Sequence, residues 1–460
     1  MKSWKNTIKS TQIALAAAVF SFILIACPPI NESEFENVMY VTGELTNEKW
    51  NTILKEIYDI GIPVILDLGG CTMPESGDVL KEVHDDGTDY VADSGKSGRW
   101  VQFDPSQGNS EGKELITSLV LPDAARMIRN ASHNIEINSM DDATENELNN
   151  NAFRHFSRLR YVTGANIFVV GTFAFANVKT LEAIDFPRLA YIRSYAFYGC
   201  SSLKQIELIN AIDIMPGAFE KCTSLERVVA PKLGLISQRV FMDCTSLKRV
   251  SFPLVTKIDQ RAFMNCTELT EVSFSIAMII ADEAFRNCRN LKYAEFLANP
   301  VKKASGHPLE YDIGDITWSD CTMAFYPGAF QGTSLEVLFI PNAWNVYFAG
   351  NSLADIGTTL DLYLFDSDDP EKCYGHPQTD TFLGKTPSLN QVTIYAPVGS
   401  QIEKQNADAI ELGIASYIRS AYAVDTDERD EDDNILTLFD VTVLRGPGYP
   451  YPAPFPFTSY

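Results

Sequence analysis

Apolar residues recur through the middle of the chain with a period of 22. Leu159, Leu181, Leu203, Leu225, Leu247, Leu269 and Leu291 stand at that interval, and the same step reaches Ile313 and Leu335. Between them the pattern reads L-x-x-V-x-F-P-x-x-x-x-I-x-x-x-A-F-x-x-C-x-S, most clearly in "LKRVSFPLVTKIDQRAFMNCTE", Leu247 to Glu268. A second apolar column keeps the same step at Phe175, Phe197, Phe219, Phe241, Phe263 and Phe285, with Phe153 ahead of it. The alternation in L-x-x-V-x-F predicts a short strand that turns Val and Phe to one side. Proline follows where the strand must stop, because it has no N–H to give to a ladder. Ile258, Ala262 and Phe263 then carry the return segment back over the same core. So few inward positions cannot fold alone, but repeats stacked at ~4.8 Å per rung share one continuous core.

Looser rungs flank this ladder. "LITSLVLPDAA", Leu115 to Ala125, repeats the strand signature, and "PVILDLGG" alternates Val64, Leu66 and Leu68. Before them "LTNEKWNTILKEIYDIG" predicts an amphipathic helix: Thr46 caps it, Trp50, Ile53, Leu54 and Ile57 share a face, and Gly61 ends it. Such a helix suits an N-terminal cap, since an open solenoid end exposes core and strand edge. "TTLDLYLFD" and "SLNQVTIYAP" predict two longer C-terminal rungs. Around "GHPLEYDIGD" the Ala-Phe pair is missing, and the next, Ala329-Phe330, comes one residue late. The pattern therefore places a bulging loop at 297–328 on an intact sheet, a candidate contact site or a tolerated insertion. The expected fold is an α/β-type leucine-rich-repeat solenoid with a parallel sheet on one face, a short helical cap and an irregular β-rich C-terminal part. By segment, 1–27 is a signal peptide, 28–44 a tether, 45–150 the cap and irregular rungs, 151–345 the solenoid and 346–420 irregular C-terminal rungs. Residues 421–460 hold the acidic "DTDERDEDDN", a strand-like "ILTLFDVTVL" and "RGPGYPYPAPFPFTSY", whose alternating prolines favour polyproline II.

Charge narrows the partners. Sixty acidic against 37 basic residues give a net charge of −23. Nucleic-acid binding depends on neutralising phosphates and is disfavoured, as is a polybasic grip on anionic lipid. The N-terminus supplies a different membrane link. Lys2, Lys5 and Lys9 precede the apolar run "IALAAAVFSFILIA", which is short for a bilayer span. The run stops at "LIAC", Leu24 to Cys27, which resembles the lipobox of bacterial lipoproteins, where the signal is cut before the cysteine and the thiol is lipidated. Loss of the three lysines would leave about −26. Diacyl attachment at Cys27 is the two-chain case that anchors stably.

The repeated motif also raises a question of chemistry. Cys200, Cys222, Cys244, Cys266 and Cys288 stand 22 apart, yet the same slot holds Phe156 and Val178 in the first two copies. A slot that accepts Phe, Val or Cys wants a compact apolar group. Bridging between rungs stays open in an exported protein, with Cys71, Cys321 and Cys373 as further partners. Zinc would need clustered ligands, which this spacing does not give. His84, His133, His155, His307 and His376 fit no metalloprotease pattern, and Asp85-Asp86-Gly87 and Asp366-Ser367-Asp368 lack the spacing of a calcium loop. No catalytic residue, cofactor or metal is expected.

The outward sheet positions are more orderly. Glu182, Lys204, Glu226, Lys248, Thr270 and Lys292 follow the leucines and would pair opposite charges from rung to rung. The next column, Ala183, Gln205, Arg227, Arg249, Glu271 and Tyr293, is less regular. Its members Arg227, Arg249, Glu271 and Tyr293 form the candidate binding face, with a merely solvated face as the alternative.

The repeat "AFxxCxSLxxVxFPxxxxxI" closely resembles the BspA-type leucine-rich repeats of bacterial surface proteins, in phase over 153–341. "GKELITSLVLPDAA" leading into "NAF…LRYVTGANI" is similar to lipid-anchored members found in spirochaetes. The resemblance implies surface exposure and, in some members, adhesion to host matrix proteins or to other bacteria. It implies no enzymatic activity. The expected protein is an exported, membrane-anchored lipoprotein at the cell surface or outer membrane that binds protein ligands. The alternative is a structural envelope protein that self-assembles through its sheet edge or aromatic tail.

Overall fold

The structure, a computed structural model, describes residues 37–73, 81–83, 89–91, 100–101, 112–129, 151–297, 323–340, 346–349, 351–364, 389–397 and 440–446. The chain divides into two compact units, Met1–Leu189 with Cys200–Ile206, and Ala190–Gly199 with Glu207–Tyr460.

The first unit begins earlier than the sequence suggests. Strand Val38–Tyr40 lies within the segment expected as a tether and pairs in parallel with Val64–Asp67, Val38 opposite Ile65. Helix Asn47–Ile60 connects the two strands. Its caps follow the sequence: Thr46 Oγ1 accepts from the Lys49 N–H at 3.2 Å, and Gly61 takes the left-handed conformation at φ 70°. Ile53, Leu54 and Ile57 are buried, whereas Trp50 is only half-buried. Docking is close: a Cβ on Gly112 would stand 2.2 Å from the Leu54 carbonyl oxygen. The sheet continues in parallel through Ile116–Val120, Tyr161–Thr163 and Ala183–Asp185. A return ladder joins Trp100–Val101, Met127–Ile128 and Val169–Val170. Phe153 and Phe175 stack inside this unit with ring centroids 4.3 Å apart.

The second unit repeats the plan with more regularity. Arg227–Val229 pairs in parallel with Arg249–Ser251. A six-stranded parallel sheet runs through Glu271–Phe274, Tyr293–Phe296, Val337–Ile340, Thr359–Leu364, Gln391–Pro397 and Asp440–Gly446. The two C-terminal rungs are therefore strands, and the strand-like segment after the acidic run closes the ladder as a third. The return ladder passes through Leu235–Ile236, Lys257–Ile258, Ile279–Ile280, Met323–Phe325 and Val346–Phe348. Between the ladders Phe197, Phe219, Phe241, Phe263, Phe285 and Phe330 form one stack. Successive centroids lie 5.1, 5.7, 5.4, 5.1 and 5.1 Å apart, with neighbouring planes within 17°. The leucines Leu203, Leu225, Leu247, Leu269 and Leu291 are fully buried in their respective units.

Two expectations about the interruption are corrected. Tyr293 pairs directly with Val337, so the sheet steps 44 residues there and no rung stands between them. Ile313, which lies outside the described residues, is thus not a strand position of an unbroken series. On the return ladder Ile279 pairs with Ala324, so strand Met323–Phe325 lies within the stretch expected as a loop to 328. The cause is arithmetical. An insertion of about one repeat length leaves the phase of a 22-residue pattern unchanged, so periodicity alone cannot see it.

The turn around each Ala-Phe pair carries a regularity that the hydrophobic pattern does not show. Two residues per repeat are left-handed. One series includes Tyr195, Gly217, Arg239, Arg261 and Glu283, and the other Gly199, Lys221, Asp243, Asn265 and Asn287. These turns stack by backbone hydrogen bonds, as from Phe241 N–H to Ala262 C=O at 2.9 Å and from Phe263 N–H to Ala284 C=O at 2.8 Å.

Candidate protein-binding face

The repeated cysteine is part of the scaffold. Cys71, Cys200, Cys222, Cys244, Cys266 and Cys288 are buried and unbridged. In the column each thiol donates to the carbonyl of the preceding repeat's phenylalanine. The Sγ–O distances are 3.1 Å for Cys200 to Phe175, 3.2 Å for Cys222 to Phe197 and 3.2 Å for Cys244 to Phe219. They are 3.2 Å for Cys266 to Phe241 and 3.1 Å for Cys288 to Phe263. A thiol is small enough for the slot and still offers a weak donor, which Val178 and Phe156 cannot. Burial pushes the Cys200, Cys244 and Cys266 thiols upward, away from the nucleophilic thiolate. Cys71 likewise donates to the Val41 carbonyl at 3.3 Å. Cys321 and Cys373 lie outside the described residues. We expect the column thiols to resist a soluble thiol reagent in the native chain and to react on unfolding. Rapid native labelling at these positions would contradict the buried column.

Among the described residues no group of three His, Cys, Asp or Glu side chains could hold a metal ion. His155 is described and its imidazole is pushed down by burial and then by Arg154 and Lys113. The other four histidines, both calcium-like turns and Cys27 lie outside the described residues.

The outer face is built from strand positions that the core does not use. The column after the leucines pairs as its charges suggest. In the first unit Glu182 lies 2.6 Å from Arg160 and 3.8 Å from Lys204. In the second, Glu226 meets Lys248 at 3.5 Å, and across the long step Lys292 meets Glu336 at 2.6 Å. Burial pushes the Glu182 carboxyl up, but the Arg160 hydrogen bond and charge, with Lys204 and Tyr161, outweigh it and hold it below its ordinary range. Exposed pairs of this kind contribute roughly 0–1 kcal/mol each, so they serve register more than stability.

The candidate column behaves differently. Arg227 and Arg249 are directly opposed across adjacent strands, and both are exposed. Like charges in that register work against the pair. Glu207, 3.9 Å from Arg227, offsets part of the repulsion. The next two members, Glu271 and Tyr293, are also directly opposed. Burial pushes the Glu271 carboxyl up and Arg249 partly counters it. Burial, then Glu295, Tyr363 and Glu271, push the Tyr293 phenol up. Sequence reasoning missed three neighbours. Glu295, two residues along the Tyr293 strand, accepts from Ser273 Oγ at 2.5 Å. Phe339 and Tyr363 are opposed on neighbouring strands with ring centroids 5.4 Å apart. The period-2 alternation of each strand would have found Glu295. The aromatic pair needed the 44-residue step, which the sequence hides. The face of the second unit is therefore graded, from two arginines through two carboxylates to aromatic rings.

These observations can be set against known proteins. The model of the BspA type leucine rich repeat region matches in six copies, over residues 146–270 and 234–353. The repeats are BspA-type. A BspA-type rung accounts for the Phe stack, the buried cysteine and the parallel ladders of both units. Leucine-rich-repeat proteins in general are scaffolds that bind proteins. Among solved structures, a leucine-rich repeat protein from Bacteroides ovatus is similar at 15% identity and a TM-score of 0.37, covering 75% of this chain and 68% of that one. One from Eubacterium ventriosum is similar at 20% identity and a TM-score of 0.32, covering 48% and 59% respectively. A search of curated proteins finds no match.

Proposed function

We propose that the protein is a non-enzymatic cell-surface lipoprotein that binds protein through the outer sheet of its repeats, in adhesion to host matrix or to other cells. The graded column of Arg227, Arg249, Glu271 and Tyr293 carries this reading. The Phe, Leu and Cys columns are committed to the core, and the Glu/Lys column pairs within itself. The opposed arginines are held in a register that costs stability, which an external acidic group would relieve. Arg and Tyr are also the residue types that most often dominate protein interfaces. Export and anchoring rest on Lys2, Lys5, Lys9 and the "LIAC" ending at Cys27. No helix among the described residues is long and apolar enough to cross a membrane. Many weak contacts from many anchored copies would add by avidity.

The test is binding of the full chain to immobilised matrix proteins and to intact cells. Arg227→Glu with Arg249→Glu should weaken capture by about tenfold or more, the equivalent of roughly 1.4 kcal/mol. Failure against every surface, together with a particle size that rises with concentration, would favour the self-assembling envelope protein instead.

A further inference from the structure

We propose that Tyr58, Ile60 and Ile62, beside the entry of the anchored segment, contact the bilayer surface and seat the N-terminal cap on it. The inference deepens the lipoprotein reading and rests on it. Large apolar side chains exposed singly need no explanation, whereas clustered ones mark a contact. Tyr58, Ile60 and Ile62 are 46%, 47% and 43% exposed, and they fall within five consecutive residues. They occupy the last turn of helix Asn47–Ile60 and the connection that follows it. The buried face of that helix is already committed through Ile53, Leu54 and Ile57, so these three face away from the fold.

Their position singles out the occupant. The Asn37 carbonyl accepts from the Ile65 N–H at 3.0 Å, immediately before strand Val38–Tyr40 pairs with Val64–Asp67. The chain therefore enters at the end of the strand pair where Ile62 leads into Val64. Only ten residue steps separate Asn37 from Cys27, which span at most ~36 Å when fully extended. A lipid on Cys27 thus keeps this end of the cap close to the headgroups. Tyrosine and aliphatic side chains suit that boundary, with ring and alkyl groups in the interface and the hydroxyl in water. The contact is weak alone and becomes effective because the anchor makes it intramolecular. Glu56 and Asp59 stand beside the cluster, and the whole chain carries −23, so neutral headgroups are the fitting surface.

The experiment uses the full chain, lipidated at Cys27, on phosphatidylcholine vesicles. A polarity-sensitive dye is placed on Ile60→Cys, with wild-type labelling as the blank. The control is Glu48→Cys, exposed near the other end of the helix, about 18 Å away at 1.5 Å per residue. We expect the Ile60 dye to shift to the blue on vesicles while the Glu48 dye does not. Adding anionic lipid should reduce the shift. A protein that floats with the vesicles while both dyes stay water-like overturns the contact but leaves the anchor standing. A protein that does not float overturns the anchor and the contact together. A blue-shifted Ile60 dye in unanchored Cys27→Ser protein without vesicles would assign the patch to a second copy of the chain, and would also overturn the proposal.

Discussion

Phe241→Ala is expected to cost about 3–5 kcal/mol, the range for truncating a fully buried phenylalanine. Phe241 is fully buried and stands in the middle of the stack, 5.7 Å from Phe219, 5.4 Å from Phe263 and 5.8 Å from Phe252. Neighbouring rungs cannot collapse into the gap, because backbone bonds on both ladders and through the turns fix their spacing. In a repeat array each unit is stable only through its neighbours, so the loss should be felt across the second unit rather than at one rung. Denaturant unfolding measures it. Leu254→Ala, 52% exposed on the same repeat, is the control and should stay within about 0.5 kcal/mol. Equal losses for the two would mean that the register is wrong.

Gly217→Ala is expected to be nearly as damaging, at about 2–5 kcal/mol. Gly217 is left-handed at φ 65°, where a Cβ costs about 1–2 kcal/mol. That Cβ would also stand 2.0 Å from Cε1 and 2.3 Å from Cδ1 of Tyr195. The ring has little room to yield, since it is 2% exposed and meets Tyr198 edge-on at 6.2 Å. Overpacking of this kind adds typically about 1–3 kcal/mol. The two causes can be separated with Tyr195→Ala. In the double variant the collision is gone and only the backbone cost of the Gly217 change should remain. Additive losses would show that the ring does not fill the slot.

Much of this architecture is legible in the sequence because it is periodic. Thr46 and Gly61 announce the helix ends, and the Leu and Phe columns announce the ladder. Half of the left-handed turn is legible too, since Gly199, Asp243, Asn265 and Asn287 are the residue types that tolerate it. The other half is not, because Tyr195, Arg239, Arg261 and Glu283 accept the same strain without any sign in their composition. The thiol bonds are hidden because the acceptor lies 25 residues back, one repeat and a turn away. The missing rung at Ile313 is hidden because an insertion of repeat length keeps the phase. The candidate face was legible only in its first strand position. Glu295, Phe339 and Tyr363 depend on which strands pair, and pairing is what the long step alters.

The account holds that the repeated motif builds the protein and the outward column acts. The most direct measurement compares two sets of substitutions in one binding assay alongside thermal unfolding. Arg227→Glu with Arg249→Glu should abolish most capture while leaving the unfolding temperature nearly unchanged. Cys222→Ala with Cys244→Ala should lower the unfolding temperature while the folded protein still binds. The opposite outcome, binding lost with the cysteines and kept without the arginines, would contradict the account.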